Sequence, residues 1–105
     1  MDKREISVPV QTADPRWRLR LYINGASPRS LYALANLRHI CEQYLHDTYQ
    51  IEVIDLIDEP RMAEADQIVA IPTVVRLQPA PVRKVIGDLS DTEKTLAGLQ
   101  IPADG

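Results

Sequence analysis

From Trp17 to Ile23 apolar and polar side chains alternate, with Trp17, Leu19, Leu21 and Ile23 on one side and Arg18, Arg20 and Tyr22 on the other. A period of two predicts a strand with one face buried and the other wet. Asn24-Gly25-Ala26 then turns the chain, and Ser27-Pro28 predicts a helix start: serine is a favoured N-cap, and proline at the first helical position gives up no useful hydrogen bond. Leu31, Leu34, Leu37, Cys41, Tyr44, Leu45 and Thr48 carry the spacing of one buried stripe, so the helix is expected to end near His46-Asp47. Ile51 to Ile57 is apolar at both parities, which predicts a second strand covered on both faces. Strand, helix and strand in this order form a right-handed crossover, so these two strands should be parallel.

Asp58-Glu59-Pro60 offers a cap and a proline for a short helix over Arg61 to Asp66. Two β-branched runs follow, Ile68 to Leu77 and the stretch closed by Gly87. Pro79 and Pro81 separate them, which is how two strands joined by a prolyl turn are written. Ser90 stands three residues before Glu93 in the capping-box pattern, with Leu96 and Leu99 on one face behind it, predicting a last helix. The sum is an α/β chain of order β-α-β-α-β-β-α, the thioredoxin-like order. In such folds the position of Ile71-Pro72-Thr73 carries a cis-proline before a central strand. Residues 1–15, with Pro9, Pro15 and unpatterned charge, are expected to form a flexible lead-in, 16–100 a single domain and 101–105 a short tail.

With 105 residues, 45% of them apolar and 26% charged, the chain suits one soluble domain with a single modest core. A net charge of -3 gives no reason to expect nucleic acid as partner. The distribution says more: Pro15 to Cys41 holds five arginines and no acid, whereas Glu52 to Asp66 holds six acids against Arg61. Such asymmetry can steer a charged partner or pair like subunits head to tail, or can simply be a solvated surface. No apolar run reaches the roughly 18 residues of a membrane span, and the first residues lack the apolar core of a signal peptide, so a cytoplasmic protein is expected. One cysteine allows no intrachain disulfide.

Dithiol chemistry in a fold of this order needs Cys-x-x-Cys where the first strand meets the first helix, because the helix dipole stabilises a thiolate there. That junction reads Gly25-Ala26-Ser27-Pro28, which excludes dithiol exchange for this chain acting alone. Cys41, on the apolar stripe, reads as a buried structural thiol. His39 and His46, seven residues apart, share a helix face but lack a third ligand. Asp55, Asp58 and Glu59 have no nucleophile, phosphate loop or histidine beside them. No catalytic residue, metal or cofactor is therefore expected. Arg18, Arg20 and Tyr22 suit either a partner contact or a cover of long side chains over the sheet, and Arg83 and Lys84 beside two prolines form a rigid basic loop suited to a partner.

Leu19 to Gly25 with Pro28 and Ser30, Val53 to Leu56 with Pro60, Ile68 to Thr73, Pro81 to Ser90, Glu93-Lys94 and Gly98-Leu99 together resemble the KaiB family of bacterial clock proteins. The resemblance implies a non-enzymatic adaptor that binds the N-terminal ATPase ring of a KaiC-family partner and modulates its phosphorylation and ATPase cycle, in a circadian or stress-related timing system. It also implies a KaiA-like regulator or clock histidine kinase or phosphatase competing for the same surface. Two folds are implied: the thioredoxin-like one that binds the partner, and a ground state of order β-α-β-β-α-α-β stored as a tetramer or dimer. Arg18, Arg20, Tyr22, Gln50, Glu52, Asp58, Arg83 and Lys84 are the expected partner-binding residues. Gly25, Pro28, Pro72, Gly87, Asp88, Gly98 and Gln100 are the expected structural and fold-switch residues. Clock members carry lysines on the second strand and the turn after it, and often an aspartate at the position of Gln100. The acids found here mark the chain as a divergent paralogue. The alternatives are a sensory domain like that of KaiB-related histidine kinases, and a thiol oxidoreductase.

Overall fold

β1 (Trp17–Ile23), α1 (Pro28–Tyr44), β2 (Tyr49–Asp55), α2 (Met62–Ala65), β3 (Thr73–Gln78), β4 (Arg83–Ile86) and α3 (Thr92–Leu99) follow one another in the computed structural model, which describes residues 15–103. The predicted element order is the observed one. The lead-in expected over residues 1–15 lies outside the described residues except for Pro15. Ile101, assigned to a tail from the sequence, is buried against the core.

The four strands form one sheet in the order β2-β1-β3-β4. β1 and β2 are parallel, with Trp17 opposite Tyr49 and Ile23 opposite Asp55, as the crossover requires. β3 runs antiparallel to β1, with a register shift between Arg18 and Leu19, and β4 runs antiparallel to β3. On one face Leu19, Leu21, Ile51 and Val74 pack beneath α1 and α3, where Ala33, Leu37, Ile40, Cys41, Leu96 and Leu99 close the main core. On the other face Tyr22, Ile54 and Val75 form a second, smaller core under Met62 and Ile68.

That second core corrects the expectation that one face of β1 is wet. Tyr22 is 0% exposed and Arg20 half-buried, because the segment through α2 lies across them. The helical stripe is also rotated from the one expected: Ala33, Leu37, Ile40 and Cys41 face inward at helical spacing, whereas Leu31 is exposed. β3 starts at Thr73, so Ile68 to Ile71 is loop rather than strand, and β2 ends at Asp55. His46 follows α1 in a left-handed conformation and shares no helix face with His39.

The helix caps follow local chemistry. The Ser27 hydroxyl accepts from the Ser30 amide at 3.3 Å with Pro28 opening α1. The N-cap of α3 is Asp91 rather than Ser90: its carboxylate accepts from the Lys94 amide at 3.0 Å, while the Ser90 amide donates to Asp88 Oδ1. The Asp91 carboxylate brings a full negative charge to the positive end of the helix, while the Ser90 side chain is bonded to Asp88.

Gly98 is where α3 lies against β4. A Cβ there would stand 2.6 Å from Val85 Cγ2, a branched side chain that cannot swing away. Gly98→Ala is therefore expected to lower the unfolding free energy by about 1–3 kcal/mol by prising helix from strand, although alanine is the better helix former. A urea-unfolding midpoint equal to or above that of the parent would show that the contact relaxes freely.

Candidate functional site

The register of β1 against β2 sets Arg18 beside Gln50 and Arg20 beside Glu52 on the second face of the sheet. The side chains meet as the pairing predicts, Arg18 Nη1 donating to Gln50 Oε1 at 2.9 Å and Arg20 Nε to Glu52 Oε1 at 2.8 Å. Arg20 Nη1 also reaches Asp66 Oδ2 at 3.2 Å, and the Tyr22 hydroxyl donates to the same oxygen at 2.5 Å. This network pins the segment after α2 onto the sheet. Burial works against the charge on Arg20, but Glu52 and Tyr22 outweigh it and raise its pKa above the ordinary arginine value. Burial, and then the bond to Asp66, pushes the Tyr22 hydroxyl up to about 12.

Of the expected partner-binding residues, Arg18, Arg20, Gln50 and Glu52 thus come together as a cross-strand ladder. Tyr22 is closed off beneath α2, which removes it from any contact surface in this arrangement. Asp58 is exposed in the loop after β2, and Arg83 and Lys84 are exposed on β4 at the opposite margin of the sheet.

The structural residues sit at the turns. Gly25 has φ +57, and a Cβ there would stand 2.9 Å from Ile57 Cδ1. Its amide donates to Asp55 Oδ1 at 3.0 Å, which ties the β1–α1 junction to the end of β2. Pro28 opens α1. Pro72 is buried and follows a cis peptide bond, and its carbonyl accepts from the Gly87 amide at 2.9 Å. Asp88 accepts from Ser90, whose side-chain and then backbone bonds hold its carboxyl below the ordinary range, and its carbonyl accepts from Asn36 Nδ2 at 2.8 Å. Gln100 ends α3 in the left-handed region, with φ 55.

At the position where a thioredoxin-like enzyme holds its dithiol, Ser27 Oγ donates to Ser30 Oγ at 2.9 Å, and Ser30 Oγ accepts the Asn24 amide at 3.0 Å. These hydroxyls are spent on shaping the turn. Cys41 is fully buried on α1, and burial followed by the charge of Glu42 pushes its thiol up to about 12, so no thiolate is on offer.

Sequence reasoning missed an apolar surface. Ile57, Val69, Ile71 and Ile86 are exposed, Val69 by 88%. Ile57 follows the C-terminal end of β2, Ile71 precedes the N-terminal end of β3, and Ile86 closes β4, so the strand directions gather them at one end of the sheet. Leu31 and Tyr32, exposed in the first turn of α1, flank the same end. The strand expected from Ile68 onward took in residues that the fold leaves in a loop. The signal that could have revealed it was Pro72, which separates those residues from the strand proper.

A model of the KaiB domain matches residues 20–101 of the chain. Circadian clock protein KaiB3 of a Synechocystis species is 46% identical over 87 residues, spanning 83% of this chain and 85% of that one. Among solved structures, the N-terminal domain of Synechococcus elongatus SasA superimposes with a TM-score of 0.67 at 23% identity, covering 85% of each chain. Mitochondrial thioredoxin 3 of Saccharomyces cerevisiae does so with a TM-score of 0.65 at 14% identity, covering 92% of this chain and 84% of that one. At these identities the two structural likenesses speak to the thioredoxin-like fold alone.

Proposed function

The chain belongs to the KaiB family of circadian clock proteins, which are regulators rather than enzymes, and from that premise we propose that it is an adaptor for the N-terminal ATPase ring of a KaiC-family protein. It modulates the phosphorylation and ATPase cycle of that ring from the cytoplasm. The observation that carries this reading is the family match running through β1 to α3 on a thioredoxin-like frame whose dithiol position is occupied by Gly25-Ala26-Ser27-Pro28. A frame without its thiols is left with surface as its means of action.

The docking face in this reading is the apolar end of the sheet around Ile57, Val69, Ile71 and Ile86, since exposed apolar side chains gathered at one end of a sheet suit an interaction site. Of the expected residues, Asp58 in the loop beside Ile57 borders this face, which a KaiA-like regulator or histidine kinase would compete for, while Arg18 and Gln50 lie at the start of β1 and β2, toward the other end of the sheet. A resting homo-oligomer with the second arrangement of the C-terminal half completes the proposal. Supporting it, the stretch from Met62 to Val69 has the composition of a longer helix, yet only Met62–Ala65 is helical, so local preference does not decide the packing.

Size-exclusion chromatography of the chain incubated for hours with a cognate KaiC homologue and ATP tests the proposal. Co-elution is expected, slow to develop because a thinly populated competent state lowers apparent affinity in proportion. Ile57→Glu with Val69→Glu, both at exposed positions, is expected to weaken it by more than tenfold, roughly 1.4 kcal/mol or above. Failure of the parent chain to co-elute with any cognate ring would overturn the adaptor reading. Undiminished binding by the double variant would overturn the docking face.

A further inference from the structure

We propose, resting on the adaptor reading above, that the apolar end of the sheet docks its partner protein at two charged poles. The β2 side of that end takes a basic group of the partner, and the β4 side an acidic one. The acidic pole follows Ile57. Asp58 and Glu59 are exposed there, and their amides donate to the Asp55 carbonyl at 3.0 and 2.9 Å. Asp55 Oδ1 accepts in turn from the amides of Ile57 at 2.9 Å and Gly25 at 3.0 Å. Asp55 therefore holds the turn against the β1–α1 junction, and the two carboxylates are placed before any partner arrives.

The basic pole lies where β4 runs into α3. A cleft of about 190 Å³ opens there, bounded by Ile86 and Gly87 together with Arg29 of α1 and Lys94 of α3. A Cβ on Gly87 would stand 3.9 Å from Arg29 Nη2, which sets the guanidinium close to the exposed Ile86. Asp88 and Asp91 line the cleft as well, but each carboxylate accepts from a backbone amide at 3.0 Å, that of Ser90 or Lys94. The side chains of Arg29, Lys94, Asp58 and Glu59 make no hydrogen bond or ion pair among the described residues. Those four charges are the ones open to another molecule. Three interstrand spacings separate β2 from β4, roughly 14 Å, beyond the screening length of about 8 Å at physiological ionic strength, so the poles do not neutralise each other. Ile57, Ile71 and Ile86 span the interval. A partner surface with apolar side chains between a base and an acid meets both poles in one orientation and like charge at both in the other, so the poles fix how the partner sits and which ring is accepted.

Fluorescence anisotropy of the labelled full chain, incubated for hours with a cognate KaiC-family ring and ATP, tests this. The Kd of the parent is expected to weaken about tenfold between low and high ionic strength. Asp58→Lys/Glu59→Lys and Arg29→Glu/Lys94→Glu are each expected to weaken binding about tenfold or more and to flatten its salt dependence. All four positions are exposed, and glutamate in the first turn of α1 or α3 suits a helix N-terminus, so a urea midpoint equal to that of the parent separates a lost contact from a lost fold. Either pair binding as tightly as the parent would overturn the two-pole dock and leave the adaptor reading standing. A parent that binds no cognate ring overturns the adaptor reading itself and this proposal with it. Self-association of the parent that either reversal abolishes, with ring binding unchanged, would give this end of the sheet to a second copy and overturn the proposal too.

Discussion

Tyr22→Ala is expected to lower the unfolding free energy by about 3–5 kcal/mol, the largest loss for any single residue outside the main core. Its ring is fully buried between Ile54 and Val75, and its hydroxyl holds Asp66 Oδ2 at 2.5 Å with the Met62 carbonyl 3.2 Å away. Truncation opens a void under α2 and frees the segment that covers the face. Tyr22→Phe keeps the ring and leaves Asp66 bonded to Arg20, so about 1–2 kcal/mol is expected. The hydroxyl also sets a pH dependence. Its folded pKa of about 12 lies above the unfolded value near 10, so its contribution is complete below about pH 10 and is lost as pH rises through 12. The same sign holds for the buried Cys41 thiol, so part of the alkaline loss persists in the phenylalanine variant. Urea unfolding at successive pH values measures both effects. A cost below about 1 kcal/mol for Tyr22→Ala would mean that the second core contributes little.

Arg76 gives the second large effect, and its sign depends on what replaces it. Arg76 is 3% exposed, and its Nη1 and Nη2 donate to the carbonyls of Leu99 and Pro81, both at 2.7 Å. Among the described residues Nε has no hydrogen-bond partner and no carboxylate pairs with the group, which lies 5.6 Å from the Trp17 ring. Burial, with Arg83 nearby, lowers its pKa, the mark of an uncompensated buried charge. Arg76→Ala leaves two carbonyls unmet and a space beside Trp17, a loss of about 2–4 kcal/mol. Arg76→Met fills the space and removes the buried charge, and is expected to fall within about 1 kcal/mol of the parent. Should methionine cost as much as alanine, the two hydrogen bonds outweigh the desolvation and this account of Arg76 fails.

Much of the frame is written locally. Alternation through Trp17 to Ile23, Ser27-Pro28 as a helix start and the prolines around β3 and β4 are short-range devices, and the strand and helix order follows from them. What depends on distant neighbours was harder to see. Tyr22 has the polar parity of β1, and only a four-residue helix far along the chain decides that it is buried. Arg76 lies in an apolar run without any local sign that its partners would be Leu99 and Pro81. Cross-strand pairs such as Arg20 with Glu52 become legible once the parallel register is known, because the register carries them. The apolar end around Ile57 and Ile71 belongs to no periodic pattern, since it is assembled from loops.

The β1–β3 pairing has one more consequence. It joins two units that are each contiguous in sequence, β1-α1-β2 and the stretch from α2 to α3, and the two also share the main core and the bonds of Arg20 and Tyr22 to Asp66. Paired substitutions across that seam, such as Leu21 with Val74 or Leu37 with Leu99, should therefore depart from additivity, whereas exposed positions on either side should not. Along the seam the halves of the molecule must evolve in concert.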